Sequence, residues 1–158
     1  MLKHLFYKKE TFEELILFLN NNSKNSNLIE DLKKKFPHEN FKAIIIYILE
    51  NTQDTNILNK ILRYINTSKL KEFLPYLINF ITQENTSEDY LPLKIIAIKT
   101  IANYKDKTAV PKLLSCLNNK NSHHNKQFRQ KQTRRLSNAY DEAIQAIKTR
   151  PELEQTTH

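Results

Sequence analysis

Apolar residues recur along this chain at helical spacing, in eight clusters separated by polar punctuation. Phe12, Leu15, Ile16 and Leu19 form the first cluster, and Thr11-Phe12-Glu13-Glu14 ahead of it has the form of a capping box. The polar run Asn20–Ser26 ends that helix. A short second helix is predicted over Asn27–Phe36, with Leu28, Ile29, Leu32 and Phe36 inward and Pro37 blocking its continuation. Six further stripes follow: Phe41 to Leu49, Ile57 to Ile65, Leu70 to Ile81, Leu91 to Tyr104, Val110 to Leu117, and Leu136 to Ile147. In the last, Leu136, Ala139, Tyr140, Ala143, Ile144 and Ile147 share one face. Arg150-Pro151 closes it, and 151–158 reads as a flexible polar tail. The chain has no glycine, the usual residue of tight hairpins and bulges, which argues against a sheet-rich fold, so the chain is predicted to be all-α.

The stripes also repeat. Leu74-Pro75-Tyr76-Leu77-Ile78 overlays Val110-Pro111-Lys112-Leu113-Leu114 at a shift of 36 residues. Ile96, Thr100, Ile101 and Tyr104 overlay Ala139, Ala143, Ile144 and Ile147 at a shift of 43, and the extra seven residues lie after Leu117. Periods of this size belong to stacked helix pairs, in which neighbouring units bury each other's apolar faces. The expectation is a short right-handed α-solenoid of antiparallel helix pairs, HEAT- or armadillo-like, with about eight helices. It would be one domain over 1–150, with capping helices in 1–37 and units at 38–66, 69–104 and 107–150. Pro75 and Pro111 fall in the first turn of their helices, where a missing N–H costs nothing. Thr108 is placed to cap the second of these, with Asp106 as the alternative cap or a brace for the preceding turn. Ala97 and Ala139 are small enough to let helices approach closely.

On these residues the second and third units resemble HEAT-like repeats, most of all the short bacterial repeat named after the phycobilisome lyases. Ala97, Ile101, Asp106, Ala109-Val110-Pro111, Leu113 and Leu114 stand where that repeat has its small residue, apolar residue, turn aspartate, proline and leucines. Lys105 and Ala102 occupy the positions of the usual turn glycine, and Lys94 that of the first-helix arginine. The resemblance implies a surface that grips another macromolecule. It also admits an accessory role in attaching or removing linear tetrapyrroles, although no residue here is assigned to bilin chemistry. The pocket residues of HEAT-like alkylpurine DNA glycosylases have no counterpart, and tryptophan is absent.

Composition narrows the function classes. With no glycine, the dinucleotide-binding fingerprint and the P-loop are excluded, and the abundant asparagines are expected at the turns. The single Cys116 allows no intrachain disulfide and is expected to be buried on its helix's leucine face. No run approaches about 18 apolar residues, and Met1–Lys9 lacks a signal-peptide core. A soluble cytoplasmic protein with no membrane partner is expected.

Charge is the remaining signal. From Lys107 to Tyr140 there are eight bases and no acid, and elsewhere 17 bases balance 17 acids, so the net +8 resides in this stretch. Lys120, Lys126, Arg129, Lys131, Arg134 and Arg135, in or beside a basic loop at 118–132, are the candidate partner- and anion-binding residues. The competing interpretation is a solvated charged loop. Phe128 is the only aromatic residue there before Tyr140, which gives little platform for stacking single-stranded bases. His123-His124 do not share a helix face, and no metal or other cofactor is expected. The pairs Glu13-Glu14, Glu30-Asp31, Glu88-Asp89 and Asp141-Glu142 are placed at or near helix starts, where they offset the dipole, and no catalytic residue is assigned. The expected function is a non-catalytic adaptor or scaffold for another protein, with the basic patch taking an anionic partner. Nucleic-acid binding through that patch is the alternative. Self-association would cover apolar faces left open at the ends of the stack.

Overall fold

The computed structural model describes residues 9–36, 41–83, 88–122 and 130–149, with side chains described except at 9–12, 119–122 and 130–133. Every regular element among them is helical: α1 (Lys9–Asn21), α2 (Leu28–Lys35), α3 (Phe41–Asn51), α4 (Thr55–Ser68), α5 (Leu74–Thr82), α6 (Tyr90–Tyr104), α7 (Val110–Ser122) and α8 (Gln130–Lys148). Two three-residue 3-10 turns, Lys71–Phe73 and Lys107–Ala109, lead into α5 and α7. The chain divides into two compact units, Met1–Tyr64 and Ile65–His158, with the division inside α4.

In the first unit, α1 begins at Lys9, so Thr11 lies inside the helix and not ahead of it as a capping box requires. Asparagines build the turn that follows. Asn22 and Asn25 accept in successive backbone bonds, and the Asn25 side chain donates to Asp31 at 2.8 Å. Leu28 and Leu32 give α2 its buried stripe, and Glu30 and Asp31 sit in its first turn, where they complement the dipole. Helix α3 is apolar on nearly every side, and seven of its residues are buried. Phe18 meets Phe36 edge-on at 6.3 Å, Phe41 meets Tyr64 at 5.5 Å, and the Lys33 ammonium lies over both of the latter rings.

In the second unit α6 is the central element, packing against α5 and α8, and α7 packs against α8. Its length is lined by Leu93, Ala97, Ile98, Thr100, Ile101 and Tyr104, and α8 answers with Leu136, Ala139, Tyr140, Ala143, Ile144 and Ile147. Ile96, expected inward, is half-buried, and Ile98 is fully buried in its stead. On α7 the expected face is rotated. Leu113 and Cys116 are buried and Leu114 is 39% exposed. Lys94 is buried, and its ammonium donates to the Gln83 carbonyl at the end of α5 at 3.0 Å, a cation set at a helix C-terminus.

The segment expected to form one helix from Leu70 is broken. It opens with Lys69 in the left-handed region (φ 56°), an extended Leu70 and the 3-10 turn, and only then α5. The same joint recurs 36 residues later. Lys105 is left-handed (φ 53°), Asp106 is extended, a 3-10 turn follows, and α7 begins with proline second. The two extended residues agree closely, with φ/ψ of −85°/109° at Leu70 and −91°/113° at Asp106. Burial recurs at the same shift: Ile57, Leu58, Ile61, Leu62 and Ile65 of α4 correspond to Leu93, Lys94, Ala97, Ile98 and Ile101 of α6, and all ten are buried. Lysine, and neither glycine nor asparagine, holds both left-handed positions among the described residues.

Candidate binding surfaces

Of the acid-free stretch, four cations are described with their side chains, and all four are exposed: Lys107 in the 3-10 turn, Lys112 in the first turn of α7, and Arg134 and Arg135 on α8. Lys120 and Lys131 lie on helical backbone in α7 and α8, whereas His123, His124, Lys126, Phe128 and Arg129 lie outside the described residues. The loop expected at 118–132 is shorter than its polarity suggested. Helix α7 runs on to Ser122 and α8 starts at Gln130. Neither flank holds a glycine or proline to stop a helix, and glutamine, lysine and arginine propagate one well. Arg134 and Arg135 therefore stand one turn inside α8, and Asp141-Glu142 lie mid-helix, not at its start.

The joint before α7 has a defined electrostatic structure. Asp106 caps it, accepting from the Thr108 backbone N–H at 2.9 Å and from its hydroxyl at 2.6 Å. Asp106 is thus the cap, and Thr108 the donor. These two bonds, aided by the charge of Lys71, hold the Asp106 carboxyl below its ordinary value against a small opposing effect of burial. The neighbouring joint is close by, since the Asn103 side-chain amide donates to Asn66 at 2.9 Å. Four exposed lysines cluster along this edge: Lys69 and Lys71 on one joint, Lys105 and Lys107 on the other. None of these four was among the sequence candidates, although Lys107 opens the acid-free stretch. The 36-residue shift maps Lys105 and Lys107 onto Lys69 and Lys71 and carried the signal.

A half-open cleft of about 250 Å³ lies in the first unit. Ile16, Leu19, Ile48 and Ile57 contribute its apolar lining, and Asn20, Asn51 and Asp54 are among its polar groups. Asp54 is committed to structure. It accepts from the Ser23 hydroxyl and from the Asn56 and Ile57 N–H groups, capping α4, while Lys60 donates to the Ser23 carbonyl at 2.8 Å. Burial opposes its ionisation, but those hydrogen bonds and Lys60 outweigh it and lower its pKa. The carboxylate caps α4.

Two hydroxyls are buried in the second unit without an oxygen or nitrogen partner, those of Tyr104 and Tyr140. Burial pushes Tyr104 up to about 12, and it raises Tyr140 further, with the nearby Cys116 thiol adding to the effect. Both phenols stay neutral at physiological pH. Among the described residues no group of three or more His, Cys, Asp or Glu could hold a metal ion, and no helix is long and apolar enough to cross a membrane.

No family model, curated protein or solved structure matches this chain.

Proposed function

We propose that this chain is a HEAT-like helical-repeat protein, a short right-handed solenoid of antiparallel helix pairs that works in the cytoplasm as a non-catalytic adaptor or scaffold for another protein. One observation carries the proposal. The whole joint recurs after 36 residues, from left-handed lysine through extended residue and 3-10 turn to a helix with proline second, and five buried positions on α4 recur on α6. A backbone unit repeated with its burial pattern is what translational stacking requires. Stacks of this kind hold partners along their helices and joints, and a stack this short leaves end faces that a second copy could cover. The test uses the full-length chain as bait in its native cells. A single partner that stays bound near 1 M salt, where screening leaves only about 3 Å of Debye length, supports the adaptor function. Recovery of nothing beyond salt-labile material overturns it.

A second reading, nucleic-acid binding, is favoured by a separate observation. Lys107, Lys112, Arg134 and Arg135 are exposed in a stretch without a single acid. Duplex binding that weakens steeply from low to moderate salt is its signature.

A further inference from the structure

We propose that the joint edge of the second unit, presenting Lys69, Lys71, Lys105 and Lys107, docks the phosphate backbone of duplex DNA. The inference rests on the repeat reading, because the edge exists only where the two joints lie side by side, and it gives the nucleic-acid reading a surface. Three features of the edge lead to it.

The first is the choice of residue. A left-handed position disfavours any side chain with a Cβ, and asparagine tolerates it better than lysine. Asparagine abounds in this chain, yet both left-handed positions among the described residues carry lysine. The second is placement. Lys69 and Lys105 follow the C-termini of α4 and α6, where the dipole welcomes a cation. That explanation fails for Lys71 and Lys107. They stand at the entry to α5 and α7, where a cation opposes the dipole; the charge of Lys71 supports the Asp106 cap, but the dipole gives no reason for Lys107. The third is what surrounds them. Two acids share the edge with the four lysines: Asp106, whose carboxylate is occupied by Thr108 and feels the charge of Lys71, and the exposed Glu72 beside Lys71, so the cations outnumber the acids by two. Leu70, 38% exposed, is the only large apolar side chain exposed at the two joints.

These features select the partner. Protein interfaces are anchored by aromatic and arginine side chains in desolvated pockets and are depleted in lysine, so an acidic protein surface suits this edge poorly. Single-stranded nucleic acid needs aromatic platforms, and neither joint exposes an aromatic ring. A duplex DNA backbone needs only closely spaced cations and donors.

Fluorescence anisotropy of a labelled random-sequence DNA duplex, titrated with the full chain at several salt concentrations, tests this. The variant Lys69→Asn/Lys71→Gln/Lys105→Asn/Lys107→Gln removes four charges and keeps a side chain that tolerates the left-handed region. It should bind at least tenfold more weakly at low salt, with a log–log salt slope shallower by up to about 3.6, at roughly 0.9 per lost phosphate contact. Lys71→Gln/Lys107→Gln avoids the left-handed positions and should lose about half of that slope change. Lys71→Arg/Lys107→Arg should keep both affinity and slope. A folded four-site variant with wild-type affinity and slope overturns the proposal, as does tighter binding of duplex RNA or polyglutamate than of duplex DNA. A wild-type chain that retains a protein partner in high salt but ignores DNA sinks this inference alone and leaves the adaptor function standing.

Discussion

The two joints of the second unit have nearly the same backbone and reach it by different means. At the joint before α5, the extended residue is Leu70, which makes no side-chain cap, and the 3-10 turn closes on Phe73, a ring with no exposure at all. At the joint before α7, the extended residue is Asp106, whose carboxylate takes two hydrogen bonds from Thr108, and the position of Phe73 holds Ala109. A large buried side chain anchors the first turn, beside a long bond from the Leu70 N–H to the Ser68 hydroxyl at 3.4 Å, whereas two short bonds to a carboxylate anchor the second. The lesson is that the turn geometry belongs to the repeat, while the interaction that enforces it is interchangeable between non-local packing and local capping.

The sharpest way to break that comparison is at the buried ring. Phe73→Ala should cost about 3–5 kcal/mol in urea unfolding, because a large cavity replaces a fully buried side chain, whereas Ala109→Gly should cost only about 1 kcal/mol. Equal losses would show that the two turns share one stabilising principle.

Next in size is the cap. Asp106→Ala should cost about 1 kcal/mol at neutral pH. The folded pKa of Asp106 is depressed, so its contribution is present above the unfolded value and is lost as pH falls through the folded one. The difference between wild type and Asp106→Ala should therefore shrink in acid, below the ordinary carboxylate pKa of about 3.9. A difference that stays constant from neutral pH into acid would assign the effect to packing instead.

Grafting the cap is a smaller test. Leu70 has nearly the same backbone as Asp106, so Leu70→Asp should gain about 0.5 kcal/mol, the cap offset by lost apolar contact. Smallest of all is the left-handed residue. Lys69→Gly and Lys105→Gly should each change stability by no more than about 0.5 kcal/mol, since relief of the Cβ penalty is countered by a freer unfolded chain. A loss above 1 kcal/mol at either site would mean that the lysine side chain itself supports the fold.

Helix content was legible because it rests on local spacing. The stripes at Ile57–Ile65 and Leu136–Ile147 and the proline pair at Pro75 and Pro111 all fall on the helices that they mark. What escaped were features set by neighbours. Burial of Cys116 was expected, but the exposure of Leu114 depends on how α7 meets α8, which periodicity within α7 does not contain. The break at Lys69 was hidden because Leu70, Phe73 and Leu74 continue a helical rhythm across a turn that has no glycine to announce it. Of the candidate surface, Lys107, Arg134 and Arg135 stood out through the missing acids. Lys69 and Lys71 did not, since their charge is balanced along the sequence and concentrated only where the joints adjoin.

Lysine at the two left-handed positions also leaves a trace for genetics. A lysine codon lies one base change from asparagine and two from glycine, so random drift reaches a residue well suited to that backbone in one step. If conformation alone governed these sites, populations of this gene would carry asparagine there freely. Persistent lysine or arginine would mean that selection acts on the ammonium and not on the bend that carries it.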